Sequence, residues 1–408
     1  MTTAAPPDVT PEAIRAARPA VERLARRTPV LSTRTFSERA GGTVLLKAEN
    51  LQRTGSFKVR GVAAKLAALG DGLEGVVAAS AGNHGQALAA GAAARGVRCE
   101  VFVPDDAPLA KVAAARELGA TVVVGGASVD DCIGAAQERA RAGGLAFVHP
   151  FDDPDVVAGQ GSLGLELLED VPDLAEVIVP VGGGGLASGV AVAVKSARPE
   201  VRVVGVQAAA CAAFPESLRR GEAVPADATL TIADGIAVKR PGAITLALLT
   251  RWADDLVVVG EDATAEAMVL LMERCKLVVE GAGAVGVAAL LGGQATCAPR
   301  GTTVVVLSGG NVDAGLLAAI ARRHETESGR RLVLLTRLPD RPGALARLLA
   351  CVASTGANIV EVSHVREGLS LHVRETAVEL VLETRGHDHA ESVQGALRAE
   401  GYATQVIA

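Results

Sequence analysis

The sequence predicts an α/β protein, its parallel sheet covered by helices on both faces, followed by a small α+β module. Three observations carry this. From residue 44 to about residue 310, short Val/Ala-rich stretches alternate with longer Ala/Leu-rich ones. Near residue 320 the texture changes, because Arg322 to Arg331 is charged and has no apolar period. Beyond it the pattern reads strand, helix, strand, strand, helix, strand.

In chain order, Gly75–Ser80, Arg98–Pro104, Thr121–Gly125, Leu145–His149, Ala175–Pro180, Val201–Gln207 and Thr302–Ser308 read as buried strands. Helical stretches lie between them at Gln86–Arg95, Ala110–Leu118, Val129–Ala142 and Leu186–Ala197. Near-continuous apolar strands separated by helices indicate parallel pairing, which places function at the loops after the strands. Residues 1–321 are expected as a catalytic domain with a smaller subdomain over roughly 46–155, and residues 322–330 as a linker. The tail, residues 331–408, reads as strand Arg331–Leu338, turn Pro339–Gly343, helix Ala344–Ser354, and strands Asn358–Val365 and Thr376–Glu383. Helix Asp388–Glu400 and strand Tyr402–Ile407 complete it. That βαββαβ order is a split-βαβ module of ferredoxin type. It contains no lysine, so an amine nucleophile cannot come from it.

Composition removes several classes of function. The 408 residues are 49% hydrophobic with a net charge of -6, enough for a large core and without the basic excess that binds nucleic acid. The six cysteines, Cys99, Cys132, Cys211, Cys275, Cys297 and Cys351, show no C-x-x-C spacing, which argues against disulfides and structural zinc. No metal is expected. Met1 to Thr10 has no basic head and no apolar stretch, so export is not expected and a reducing cytoplasm is. A long uncharged run, Val177 to Val194, contains Pro180 and five glycines, which suits a strand, a loop and a helix start rather than a membrane span.

The most informative stretch is Lys47 to Gly61, which contains Thr54-Gly-Ser-Phe-Lys58. There are only seven lysines, and Arg carries most of the positive charge. A lysine behind a Thr-Gly-Ser turn and beside an aromatic has two readings: a solvated lysine at a helix start, or an amine placed to attack a carbonyl. Four loops bear on the choice. Val181 followed by Gly182, Gly183, Gly184, Gly185 and Leu186 ends a strand and opens a helix, so bare N–H groups are able to close around an anion. It is neither a Walker A loop nor a G-x-G-x-x-G match. Ser80-Ala-Gly82-Asn83-His84-Gly85 offers a cradle for a carboxylate, with His84 also readable as a helix-cap histidine. Ser308 ends the last strand of the repeating region, where a hydroxyl suits a ring nitrogen. Glu280 in Glu280-Gly-Ala-Gly-Ala284 reads either as a helix cap or as part of a site. Together they provide what a phosphorylated aldehyde cofactor requires.

These segments, with Ala158-Gly-Gln-Gly161 and Ser308-Gly-Gly-Asn311, resemble in order the fold type II (tryptophan synthase β-like) pyridoxal-phosphate enzymes, specifically the threonine ammonia-lyases. The tail, with Gly356-Ala-Asn-Ile359 and Glu361 to Arg366, resembles their single ACT domain. The resemblance implies two subdomains with parallel sheets and pyridoxal 5'-phosphate as cofactor. It implies Lys58 as the Schiff-base lysine, Phe57 against the cofactor ring, Asn83 on the ring hydroxyl and Glu280 near the ring. Gly182 to Leu186 would hold the phosphate, and Ser308 the pyridine nitrogen. Ser80, Gly82, Asn83 and His84 would receive the substrate carboxylate.

The implied reaction removes water from L-threonine, and also from L-serine, with Lys58 as the base and 2-oxobutanoate and ammonia as the products from threonine. A neutral Ser308 at the ring nitrogen favours elimination over transamination. Serine racemases of this fold carry a second serine where this chain has Ala81, which disfavours racemisation, and Gln207, Cys211 and Ala213 argue against a divalent-metal site. The rivals are a serine or hydroxyaspartate dehydratase and a non-catalytic amino-acid sensor. A homo-oligomer is implied, with a branched-chain amino-acid effector near Pro339, Gly343 and Asn358.

Overall fold

The computed structural model describes residues 8–80, 82–127, 129–227, 229–365 and 371–407. Ala81 and most of the Met1–Thr10 segment lie outside the described residues, as does Arg366. The chain divides into two units, residues 1–313 and residues 314–408.

The first unit contains two sheets. Strands β1 (Val30–Ser32), β2 (Thr43–Ala48), β7 (Leu174–Pro180), β8 (Arg202–Ala208), β9 (Asp255–Val259) and β10 (Thr302–Leu307) form a six-stranded sheet in the order β1-β2-β10-β7-β8-β9. Strands β3 (Gly75–Ala79), β4 (Arg98–Val103), β5 (Thr121–Val124) and β6 (Ala146–Phe147) form a four-stranded sheet in the order β5-β4-β3-β6. All pairings are parallel except β1 against β2. β1, β2 and β9 are additions to the expected strands. β6 is shorter than expected: Val148 still donates its N–H to Val77, but His149 turns its Nδ1 back to accept from the Asp152 amide at 2.8 Å.

Burial follows the chemistry of the elements. Val177, Val179, Val304 and Val306 pack with Val190, Val194 and Leu186 of the helix Gly185–Ala197, and all of these are buried. Each such side chain contributes roughly 1.5–3 kcal/mol when removed from water. The smaller sheet packs Val76, Ala78, Val101 and Val103 against Val62, Leu66 and Leu88. The helix Pro154–Asp170 starts at an N-cap Asp153, whose carboxylate accepts from the amides of Asp155 and Val156, with Pro at the first position. It crosses the helix Lys58–Ala68 at Gly61 and Gly159, where a Cβ on Gly159 would press on the Arg60 carbonyl and Ala64. The Ala158-Gly-Gln-Gly161 segment is therefore a close-packing device.

The second unit is a four-stranded antiparallel sheet of β11 (Arg331–Pro339), β12 (Asn358–Val365), β13 (Glu375–Glu383) and β14 (Thr404–Val406), ordered β12-β13-β11-β14. Helices Ala344–Ser354 and His387–Ala399 cover it through Leu348, Val352, Val393 and Leu397. The expected βαββαβ order is present. The expected linker is not: residues up to Glu327 belong to the helix Ala314–Glu327. An Arg323–Glu327 ion pair at i,i+4 and one buried residue, Ile320, support that helix without a regular apolar stripe.

Candidate active site

The lysine turn is hydrogen-bonded to the loop after β10. Phe57 donates its N–H to the Ser308 carbonyl at 3.0 Å, Gly310 donates to the Gly55 carbonyl at 2.9 Å, and Ser56 forms an isolated antiparallel bridge with Gly309. Phe57 also packs against the core of the six-stranded sheet. Lys58 opens the helix Lys58–Ala68, half-buried, and its Nζ donates to the Pro150 carbonyl at 2.8 Å. A carbonyl is a neutral acceptor, so no carboxylate neutralises the amine by direct contact. Burial pulls the Lys58 pKa down to about 8 against the opposing pull of Glu280. The amine is thus turned to a backbone carbonyl at a helix start rather than to a surface carboxylate.

Glu280 takes the N-cap position of the helix Gly281–Leu291, and its carboxylate lies against Asn83. It is 4% exposed. Its Oε1 accepts from Asn83 Nδ2 at 2.7 Å. Burial, then the negative charge of Asp234, pushes its carboxyl up to about 7, while Asn83, Lys111 and Lys58 pull the other way. Lys111 is itself ion-paired with Asp234. Ser308 is buried, and its hydroxyl reaches only the Ala282 carbonyl at 3.5 Å, the long limit of a hydrogen bond. The neighbouring Ser56 Oγ is buried and has no partner among the described residues.

The glycine run joins β7 to the helix Gly185–Ala197, whose first N–H groups have no carbonyl one turn earlier. Gly184 has φ +93°, a left-handed conformation that suits glycine. A Cβ would overlap the Phe151 ring at Gly183, and would press on Phe214 and Thr245 at Gly184 and on Ile236 at Gly182. The glycines thus serve close packing as well as exposed backbone. Thr245 Oγ1 donates to the Gly183 carbonyl at 2.6 Å and steadies the loop.

Ser80 and Gly82 precede the helix Asn83–Arg95, and Ser80 Oγ accepts from the Gly82 amide at 3.2 Å. The His84 side chain is committed elsewhere: its Nε2 lies 2.9 Å from the Val148 carbonyl, which can only accept, so Nε2 carries the hydrogen. Burial, reinforced by the Lys58 charge, drops its pKa to about 3, so the ring is neutral. Only the His84 main chain is left to receive an anion.

Behind the lysine lies a buried ionic cluster that sequence reasoning missed. Arg60, 0% exposed, donates to both oxygens of Glu49, at 2.8 and 2.7 Å, to both oxygens of Glu166, at 2.7 and 3.0 Å, and to Ser162. Lys47 donates to Glu166 at 2.6 Å and to the Thr28 carbonyl. One guanidinium thus ties the Lys58 helix to the turn after β2 and to the helix Pro154–Asp170. Charged residues inside an otherwise polar motif give no sequence sign of burial.

Other expected sites are not assembled in this way. Gln207 Oε1 accepts from the Phe214 amide and the Cys211 thiol donates to the Ile236 carbonyl. Among the described residues no group of three or more His, Cys, Asp or Glu is arranged to hold a metal, and no helix is long and apolar enough to cross a membrane. In the second unit, Asn358 pairs across Glu383 toward the Arg331 end of β11, whereas Pro339 pairs with Glu375 at the other end. Gly343 follows Pro339 into the next helix. The three expected effector residues therefore do not converge within one copy of the chain.

A half-buried lysine with depressed pKa, a glycine-lined helix start, a loosely held serine hydroxyl and a side-chain amide match the aldehyde, phosphate, ring nitrogen and ring hydroxyl of pyridoxal phosphate. The profile of the family described as pyridoxal-phosphate dependent enzyme matches residues 21–309. The L-threonine ammonia-lyase of Thermotoga maritima is 43% identical over 401 residues, covering 98% of this chain and all of that protein. The L-threonine ammonia-lyase of Geobacter sulfurreducens is 45% identical over 387 residues, covering 94% of this chain and 95% of that one. The structure of maize serine racemase superposes with a TM-score of 0.73 at 32% identity, covering 79% of this chain and 99% of its own. The chain belongs to the threonine ammonia-lyase family of pyridoxal-phosphate dependent enzymes.

Proposed function

We propose that this protein converts L-threonine to 2-oxobutanoate and ammonia, and L-serine to pyruvate and ammonia. The observation that carries the chemistry is the Lys58 amine, half-buried, depressed towards 8 and, among the described residues, hydrogen-bonded to the neutral Pro150 carbonyl alone. When bound, pyridoxal phosphate supplies an electron-accepting ring conjugated to the substrate nitrogen. Lys58 takes the proton from the substrate Cα, a task for which a pKa near working pH is suited. The helix start at Gly182 to Leu186 holds the phosphate, Asn83 donates to the ring hydroxyl, and the neutral Ser308 meets the ring nitrogen. The main chain of Ser80 to His84 orients the carboxylate. Threonine as main substrate rests on the names of the two full-length relatives. The test is keto-acid release from threonine, serine and hydroxyaspartate: kcat/KM highest for threonine supports the reading, and no keto acid from any of them sinks it.

The similarity to maize serine racemase favours one alternative, interconversion of serine enantiomers. Ala81 stands against it, because alanine has no group to exchange a proton on the opposite face of Cα. Chiral chromatography of residual serine separates the two. For the second unit, the βαββαβ order and the β12-β13-β11-β14 sheet support an ACT domain with a regulatory role. Since Asn358 and Pro339 lie at opposite ends of the sheet, an effector site containing both needs a second copy, in keeping with a homo-oligomer. Calorimetry with isoleucine and valine, beside kinetics of a chain ending at Asp313, tests this: no heat and unchanged kinetics remove the regulatory role.

A further inference from the structure

Asn311 has no part in the reading above, although its side-chain amide sits where three segments of the site meet. Its Nδ2 donates to the Thr54 carbonyl at 2.9 Å and to Asn83 Oδ1 at 2.7 Å, with Gln86 Oε1 at 3.4 Å. A backbone carbonyl only accepts, so Thr54 fixes which end of the Asn311 amide is nitrogen. That nitrogen draws the oxygen of Asn83 and leaves the nitrogen of Asn83 to Glu280, 2.7 Å away. An amide nitrogen has two hydrogens, and Glu280 uses one. Gly55, at φ +71°, provides the seat: a Cβ there would overlap the Asn311 amide. A chain of obligatory donors and acceptors therefore runs from the lysine turn through Asn311 to Asn83.

We propose that Asn311 is a positioning residue that locks the Asn83 amide in its donor orientation, so that Asn83 offers the cofactor ring oxygen a hydrogen rather than a lone pair. The inference rests on the proposed pyridoxal-phosphate chemistry and deepens it. A donor favours the ionised ring oxygen; a flipped amide favours the protonated one, and the two forms absorb at different wavelengths. Asn311→Asp keeps the shape but sets a carboxylate against two acceptors, a conflict that Asn83 relieves by turning over.

The experiment uses the full-length holoprotein and two readouts: the pH midpoint of the cofactor's visible band and the rate of cofactor loss on dialysis. Asn311→Asp is expected to shift the midpoint as Asn83→Ala does and to speed cofactor loss about tenfold, as for one lost hydrogen bond to a charged group. In the Asn83→Ala background it is expected to add less than about twofold, since the effect passes through Asn83. Asn311→Ala, which introduces no charge, gives the same direction and serves if the aspartate variant does not fold. A wild-type midpoint and retention in both variants, or an equal loss with and without Asn83, overturns the inference. A wild-type protein with no visible band would instead sink the proposed function itself.

Discussion

Asn83 and Glu280, 197 positions apart in the chain, share a 2.7 Å hydrogen bond. It joins the start of the helix Asn83–Arg95 to the N-cap of the helix Gly281–Leu291, and Glu280 is held there nearly without water. The carboxyl, raised from 4.5 to about 7, keeps a proton in the folded chain over a range where the unfolded chain has lost it. The folded state then binds more protons, so stability falls as pH rises through that window. Glu280→Gln should flatten this slope, with up to about 3 kcal/mol at stake. Melting temperatures of the cofactor-free protein measured between about pH 5 and about pH 7.5 check it; an unchanged slope in the variant rules out the assignment.

Lys58→Ala should abolish the visible absorbance of bound cofactor and lower turnover by at least roughly 10²–10⁴-fold, the usual worth of a positioned base. Lys58→Arg should not rescue it, because a guanidinium neither loses its proton nor condenses with an aldehyde. Near-wild-type keto-acid release in either variant would remove Lys58 from the chemistry.

Arg60→Ala should cost about 3–5 kcal/mol in urea denaturation, since it leaves the Glu49 and Glu166 carboxylates buried without their partner. A joint Arg60→Met, Glu49→Leu, Glu166→Leu variant should lose less than the single one, because Lys47 keeps Asp170 at 3.6 Å and no charge is stranded. Equal losses would mean that the cluster acts through packing alone.

Gly183→Ala should weaken cofactor retention while leaving the far-ultraviolet spectrum intact, because a Cβ there would overlap the Phe151 ring. Gly134→Ala is the control. It lies inside the helix Val129–Gly143 with open space where a Cβ would sit, and should gain up to about 1 kcal/mol. Dialysis of both variants against cofactor-free buffer gives the comparison.

Chelator should leave turnover unchanged. Gln207 and Cys211 both spend polar atoms on backbone groups, and among the described residues nothing else groups around them as ligands. A strong magnesium requirement in a keto-acid assay would contradict this.

The parts of the site legible in the sequence are those where residue type and chemistry coincide. A run of four glycines between an apolar strand and a helix, or a rare lysine behind a Thr-Gly-Ser turn, has few other uses. What stayed hidden depends on partners that leave no mark in residue type. The acceptor for Lys58 is the carbonyl of Pro150, which any residue would supply equally. The acceptor that orients Asn311 is the carbonyl of Thr54. Arg60, Glu49 and Lys47 look like a solvated face until the helix Pro154–Asp170 covers them with Glu166. The βαββαβ module was legible because alternation and turn residues set strand order, but its ends were not: Asn358 and Pro339 begin and end different strands, and only pairing reveals that these positions are at opposite ends of the sheet. Of the expected linker, residues 322–330, the part up to Glu327 closes the helix Ala314–Glu327, where an Arg323–Glu327 pair rather than an apolar stripe marks the last turns.

The pairing of β2 with β10, Thr43 opposite Thr302 and Ala48 opposite Leu307, sets the order in which this enzyme becomes an enzyme. Synthesis delivers Lys58 early, yet the strand beside it, and the Ser308, Gly309 and Gly310 contacts that hold its turn, emerge about 250 residues later. A nascent chain on the ribosome accordingly carries Lys58 on an unfinished sheet for most of translation. The contacts that hold the Lys58 turn are complete only when β10 slots between β2 and β7.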